Sequence, residues 1–202
     1  MIAVTIAVGS SYVRRAEVAA ESVRKHTGLE AIIVRDPNPN YPSAFGKMRL
    51  LERFDCPIFY FDADTVMVRP WDPSEIQQFS ASLDFKSRAR DMDCSRYNIL
   101  PGLYFNTGVM IMLPEHKPVM LEALEIAISP SYRTAFRFEQ TAINVAVQRS
   151  GIEVNYLPRK YNAMCRQGRP MPGDAVILHA AGGCDMDRMM SMARKAELGR
   201  HT

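Results

Sequence analysis

Two aspartates one residue apart, Asp62 and Asp64, stand directly after the apolar run Ile58, Phe59, Tyr60 and Phe61. An uninterrupted aromatic and β-branched run predicts a strand covered on both faces. Side chains alternate along extended backbone, so the two carboxylates are expected to project together from the carboxyl end of that strand, where open α/β sheets bind ligands. Carboxylates held side by side repel each other. A divalent cation that prefers hard oxygen ligands, Mn²⁺ or Mg²⁺, relieves the repulsion and would in turn offset the charge of a diphosphate. The pattern Asp-Xaa-Asp occurs three times in the chain, so the letters alone decide nothing. Asp91 and Asp93 follow no strand and read as a solvated loop, while Asp185 and Asp187 read as the N-cap and first-turn acid of a helix. Only the first pair follows a buried strand.

The elements that must position this pair are legible on either side of it. Residues 2–8 predict a first strand, broken at Gly9, Ser10 and Ser11 before a helix whose inner face carries Ala16, Ala19, Ala20 and Val23. Thr27 and Gly28 end that helix and residues 31–34 predict a second strand, giving a β-loop-α-β start typical of a parallel sheet. Residues 36–42 are a Pro- and Asn-rich loop. A helix over 45–54 then leads into the Asp62 strand and places Lys47 in its first turn. Beyond Pro70, Trp71 and Pro73 the pattern turns to strand, over 79–85 and 103–113, with the polar, aperiodic stretch 86–101 expected as a loop over the site. Helices are expected at 118–128 and 139–149, strands at 152–156 and 175–178, and a Met-rich, basic helical end over 187–202.

Length and composition bound the rest. With 202 residues, 47% apolar and 23% charged, the chain is expected to form a single α/β domain, with its core over about 2–183 and a helical tail over 184–202. No apolar run has the length of a membrane helix and residues 1–12 lack a signal-peptide pattern, so the expected compartment is the cytoplasm. Cys56, Cys94, Cys165 and Cys184 have no zinc spacing and are expected as thiols. A net charge of +3 is too small to argue for nucleic acid. Between Tyr132 and Pro170 seven Lys or Arg face only Glu139 and Glu153, which suits either an anionic ligand or a solvated basic face.

Several separated segments, in order, resemble the family 8 glycosyltransferases, which include glycogenin and bacterial galactosyl- and glucosyltransferases. Val4 to Ser10 with Tyr12 is similar to that family's first strand and nucleotide loop, Phe45 to Leu51 to its Lys-containing helix, and Phe61 to Val66 (FDADTV) to its Asp-Xaa-Asp segment. Tyr104 to Met112 (YFNTGVMIM) resembles its Phe-Asn-Xaa-Gly-Val strand, Glu139 to Asn144 (EQTAIN) its Asp-Gln-Asp helix start, and Leu157 to Asn162 with Met164 its Leu-Pro and Tyr-Asn segment. Ala175 to Gly182 (AVILHAAG) resembles its closing strand with a metal-binding histidine.

The resemblance implies a GT-A fold, a Rossmann-like nucleotide-diphospho-sugar transferase domain with a mixed, mainly parallel sheet flanked by helices. It implies a retaining hexosyltransferase that uses a nucleotide-sugar donor, expected to be a UDP-sugar. The donor site it implies comprises Ala7, Val8, Gly9, Tyr12, Lys47, Asp62, Ala63, Asp64, Asn106, Thr107 and Gly108, and the metal ligands are Asp62, Asp64 and His179. An imidazole beside two carboxylates suits Mn²⁺ somewhat better than Mg²⁺, because nitrogen is the softer donor. Glu139 and Gln140 are implied to face the transferred sugar as catalytic residues. Lys47 pairs with a phosphate or the sugar, or is an exposed lysine. Gly108 lets backbone pass close to a ligand, or marks a bulge. Two features depart from the family: Glu139 stands where Asp is usual, and Gly183 to Arg188 (GCDMDR) replaces the usual Lys-Pro-Trp, with Arg188 an unmatched substitute.

Competing readings are a binding or scaffold protein that keeps the fold without turnover, and a sugar-phosphate nucleotidyltransferase, for which no Gly-rich phosphate loop is seen near Gly9. Neither a nucleic-acid partner nor a transmembrane segment is expected. The acceptor (saccharide, lipid-linked or protein) and the oligomeric state are left open.

Overall fold

The apolar run at the centre of the chain is a strand with two dry faces. Of β3 (Ile58–Phe61), Ile58 and Tyr60 enter one hydrophobic cluster while Phe59 and Phe61 enter another on the opposite side. The computed structural model describes residues 1–35, 42–85, 87–132, 138–165, 173–180 and 186–197. Around β3 lie β1 (Ile2–Ile6), α1 (Ser10–Thr27), β2 (Ala31–Val34) and the short α2 (Leu50–Arg53) before it, and β4 (Thr65–Met67), β5 (Ser80–Leu83), α3 (Arg88–Tyr97) and β6 (Phe105–Met112) after it. The chain continues through α4 (Lys117–Ile128), α5 (Phe138–Ser150), β7 (Asn155–Tyr156), β8 (Ala163–Met164), β9 (Ile177–His179) and α6 (Met186–Glu197).

The central sheet has six strands in the order β2-β1-β3-β6-β5-β7. Its pairings make it mixed but mainly parallel, because β6 alone runs against the other five. Met110 and Met112 of β6 join the Ile58–Tyr60 side, which is covered by α4 and α5 through Met120, Leu124, Ile143 and Val147. Val109 and Ile111 join the other side, where Ala19, Ala20 and Val23 of α1 pack. The predicted small-residue stripe of α1 is therefore its buried face, and Gly28, at φ 72°, caps it with a bond from its N–H to the Arg24 carbonyl. A second, three-stranded sheet, β4-β9-β8, lies beyond the Asp62 turn.

Three expectations change. The stretch 86–101 is not a loop: it holds α3, capped by the Ser87 side chain, which accepts from the Arg90 N–H, and closed by Asn98 at φ 54°. Its inner face carries Asp93 and Cys94 instead of an apolar stripe, so apolar periodicity is absent. Asp93 is accordingly buried, accepting from the Thr141 hydroxyl at 2.7 Å, and is not a solvated loop acid. The approach to β3 is mostly a 3-10 helix, Ser43–Arg49, in which Phe45 and Met48, three apart, share the buried side. Finally, extension stops at Phe61: Asp62, Ala63 and Asp64 form a turn, closed by Thr65 N–H donating to the Asp62 carbonyl at 3.1 Å. The predicted end of the helical tail, 198–202, and the segment 181–185 lie outside the described residues.

Candidate metal and nucleotide site

Three chain segments meet at the carboxyl end of β3. The turn after β3 supplies Asp62 and Asp64, and β9 supplies His179 as its last residue. Antiparallel pairing of β4 with β9 places Thr65 opposite His179, and Ala180 N–H donates to the Asp64 carbonyl at 2.9 Å. Backbone pairing thus carries the imidazole to the carboxylates, with Nε2 3.4 Å from Asp64 Oδ1 and 3.8 Å from Asp62 Oδ2. One ligand atom from each residue lies within 4.8 Å of the others. Two carboxylates and one imidazole, converging at the edge of the core with Asp62 and Asp64 still about a quarter exposed (27% and 26%), form a donor set that fits a divalent cation.

β6 passes directly beneath. Asp62 N–H donates to the Gly108 carbonyl at 2.8 Å, and a Cβ built on Gly108 would lie 2.8 Å from His179 Nδ1 and 2.9 Å from Asp62 Oδ2. Both expectations for this glycine hold: it admits the close approach of the His179 and Asp62 side chains, and it lies in the irregular stretch of β6. The pairing with β5 jumps from Ala81 opposite Met110 to Ser82 opposite Asn106, which leaves Thr107, Gly108 and Val109 as the extra residues on β6.

Lys47 is not an exposed lysine. It is 4% exposed and its ammonium bridges Asp62 Oδ1 at 3.1 Å and Glu139 Oε1 at 3.4 Å, with the Thr107 carbonyl at 3.4 Å. It also lies 4.9 Å from the centroid of the Tyr60 ring, whose hydroxyl donates to Asp62 Oδ1 at 2.6 Å. Burial opposes the charged amine, but Asp62 and Glu139 outweigh it and hold the Lys47 pKa above its ordinary value. Removing the cation would leave two carboxylates facing each other. Lys47→Met is therefore expected to cost about 3 kcal/mol of stability in EDTA, and Mn²⁺ is expected to restore part of the lost melting temperature. Thermal unfolding with and without the ion reads both effects, and an unchanged melting temperature would show that the bridge carries no weight.

The two helix-start residues diverge. Glu139 remains 20% exposed beside Lys47, whereas Gln140 is buried. Gln140 Nε2 donates to Asp84 Oδ2 at 3.0 Å and its Oε1 accepts from Asn106 Nδ2 at 2.9 Å and, more weakly, from Thr107 N–H at 3.4 Å. At the other side of the turn, Ala7 packs with Ala16 and Ala63, which sets the loop after β1 against the carboxylate turn. That loop turns at Gly9 (φ 84°), and Val8 of the loop and Tyr12 of the first turn of α1 face solvent, 42% and 51% exposed. The candidate donor-site residues thus lie on the loop after β1, the first turn of α1, the 3-10 helix, the Asp62 turn and β6. Three contributors carried no sequence reading as site residues: Tyr60, Asp84 and Asn162. Tyr60 was findable, since it precedes Asp62 by two and shares its side of the strand. Asp84 had no signal, and Asn162 lay within a recognised segment without a role.

Protonation follows from the same contacts. Burial disfavours an imidazolium at His179, but the hydrogen bond and charge of Asp64, with Asp62 behind it, outweigh burial and raise its pKa above 6.5. Burial likewise pushes the Asp64 carboxyl up, and the His179 hydrogen bond outweighs this and holds it below the ordinary value. A cation must displace the His179 proton. Its affinity is expected to rise with pH, by up to about tenfold per unit below the folded His179 pKa, and to level off above it. Without metal, the stabilising contribution of the imidazolium is complete below pH 6.5 and is lost as pH climbs through the raised value. Calorimetric Mn²⁺ titrations across that window check the first expectation, and melting temperatures in EDTA check the second.

No protein-family model matches the chain, and no curated protein matches it in sequence. Solved structures share the fold. The galactosyltransferase LgtC, in complex with donor and acceptor sugar analogues, superposes with a TM-score of 0.67 at 16% identity over 99% of this chain and 95% of its own. The bifunctional glycosyltransferase WbbM, in its apo form, gives 0.68 at 12% identity over 91% of this chain, which spans 46% of WbbM. A glycosyltransferase involved in glycosylation of the major capsid of PBCV-1 gives 0.60 at 13% identity, over 96% of this chain and 100% of its own. The architecture is the GT-A fold of these glycosyltransferases. Among the described residues no helix is long and apolar enough to cross a membrane.

Proposed function

We propose that the chain is a metal-dependent, retaining glycosyltransferase of the family 8 type, moving a hexose from a UDP-sugar to an acceptor hydroxyl. The observation that carries this reading is the convergence of Asp62, Asp64 and His179 at the end of a central strand, beside the exposed loop after β1 and the first turn of α1. A bound Mn²⁺, held by those three side chains, would supply positive charge to the diphosphate leaving group. Ala7 to Tyr12 provide an apolar shelf for a nucleobase.

In the transfer, the bond from the anomeric carbon to the β-phosphate oxygen breaks and its electrons leave with the diphosphate. The acceptor hydroxyl oxygen forms the new bond to the anomeric carbon, and its proton passes to the departing β-phosphate oxygen. Glu139, held by Lys47 and 20% exposed, is a carboxylate able to stabilise positive charge developing on the sugar ring. Lys47 places one positive charge between Asp62 and Glu139 and so offsets part of their repulsion toward each other and toward an anionic substrate. Glu139 is one methylene longer than the family's aspartate, and we assign to it a part in choosing the donor sugar.

Calorimetric titration of UDP and of GDP, each with Mn²⁺ and with EDTA, tests the donor site. UDP-selective binding that vanishes in EDTA is the expected result, and binding that ignores the metal would refute it. Screening UDP-hexoses for hydrolysis then separates an enzyme from a scaffold that binds without turnover.

A further inference from the structure

We propose that Asn162 is a positioning residue that locks the His179 ring in the tautomer with its proton on Nδ1, so that the Nε2 lone pair is aimed at the space between Asp62 and Asp64. The inference rests on the metal reading above and concerns residues outside the ligand set. His179 Nδ1 lies 2.8 Å from Asn162 Oδ1, and Asn162 Nδ2 donates to Asn106 Oδ1 at 2.8 Å. All these side chains are buried, so water does not offer them alternative partners.

An amide side chain can be turned end for end, and the neighbours decide which end faces which. Here each orientation follows from groups that cannot exchange roles. Gly108 N–H, a backbone donor, points at Asn106 from 2.9 Å, so the oxygen of Asn106 must face it. The Asn106 amide nitrogen is thereby turned to Gln140, whose oxygen must accept, as the contact from Thr107 N–H also requires. Gln140 then presents its nitrogen to Asp84, a carboxylate whose other oxygen already accepts from Phe85 N–H. On the opposite side, the Asn106 oxygen accepts from Asn162, so only the oxygen of Asn162 is left for the imidazole. Against an amide oxygen, Nδ1 must carry the proton.

The consequence is directional. A neutral imidazole has one donor and one acceptor nitrogen, so a proton held on Nδ1 leaves Nε2 as the ligand. The relay Asp84, Gln140, Asn106, Asn162 thus ties α5, β5 and β6 to the metal-ligand ring, and gives Gln140 and Asn106 a task that contact with sugar does not require. Asp84 and Gln140 hold the far end, and Asn162 makes the contact that decides the tautomer.

The test is ¹⁵N-edited NMR of histidine-labelled protein, in cation-free buffer alkaline enough to leave the ring neutral, followed by titration with diamagnetic Cd²⁺. Wild type is expected to show His179 protonated on Nδ1, with the Nε2 signal moving on Cd²⁺ addition. A proton on Nε2 in wild type overturns the proposal outright and needs no variant. Asn162→Leu, which offers no acceptor, is expected to mix the tautomers and weaken Mn²⁺ binding by about tenfold or more, whereas Asn162→Asp, still an acceptor, is expected to retain the Nδ1 proton. Equal Mn²⁺ affinity and an unchanged tautomer in Asn162→Leu would also overturn it. If wild type binds neither cation, the metal site fails, while the tautomer, measured without metal, stands or falls separately.

Discussion

Asp64→Asn is expected to abolish Mn²⁺-dependent UDP binding while leaving the fold in place. The substitution removes the carboxylate nearest His179 Nε2, at 3.4 Å, and keeps the shape of the turn, because the backbone bond that zips the two segments uses the Asp64 carbonyl and not its side chain. Changes one shell out from a metal cost roughly 10–100-fold in affinity, and loss of a ligand should exceed that. The His179 pKa should fall toward its ordinary value at the same time, since Asp64 is its principal raising partner. Calorimetry with UDP and Mn²⁺, alongside a circular dichroism melt, reads both results. Retained metal-dependent binding in a folded variant would remove Asp64 from the site.

Gly108→Ala carries the other large effect, and for a steric reason. The new methyl would sit inside van der Waals distance of His179 and 2.9 Å from Asp62 Oδ2, on backbone held to the Asp62 turn by the Asp62 N–H bond to the Gly108 carbonyl. Overpacking of this kind costs about 1–3 kcal/mol, and relief by rotating the imidazole away would also dismantle the ligand set. The expected result is a lowered melting temperature together with loss of Mn²⁺ binding. Gly102→Ala is the matched control, because a Cβ there meets nothing within 4 Å and its backbone angle is ordinary. Normal Mn²⁺ affinity in Gly108→Ala would mean that the ring has room that the packing denies.

Both expectations concern residues that the sequence already marked, yet for partly different reasons. Asp62 and Asp64 were expected to converge by strand alternation; they converge through a turn, and the third ligand arrives through a second sheet. Gly108 was expected beneath a ligand or in a bulge; it lies against His179 and Asp62 and within the irregular stretch of β6. Lys47 was placed on a helix near the metal with two roles open, and the fold buries it as the cation between Asp62 and Glu139. The stretch 86–101 concealed a helix because α3 buries Asp93 and Cys94, so the usual apolar spacing is missing while the caps at Ser87 and Asn98 remain.

The sequence by itself determined the strand that is dry on both faces, the small-residue face of α1, the opening β-loop-α-β order and the identity of the metal-ligand candidates. Those are local properties, set by composition and period over a few residues, and the apolar run 58–61 can be satisfied only inside a sheet. Tertiary structure decided which side chains meet. Pairing of β4 with β9 brings His179 to Asp64, and β6 sets Gly108 against His179 and Asp62, contacts separated by up to 115 residues that no local pattern encodes. It also decided the polarity of the buried amides, because an asparagine or glutamine has no preferred end until fixed donors and acceptors surround it. Asp84 and Asn162 are ordinary polar residues in one dimension, and they acquire a direction only where Gly108 N–H and the Asp84 carboxylate bracket the relay.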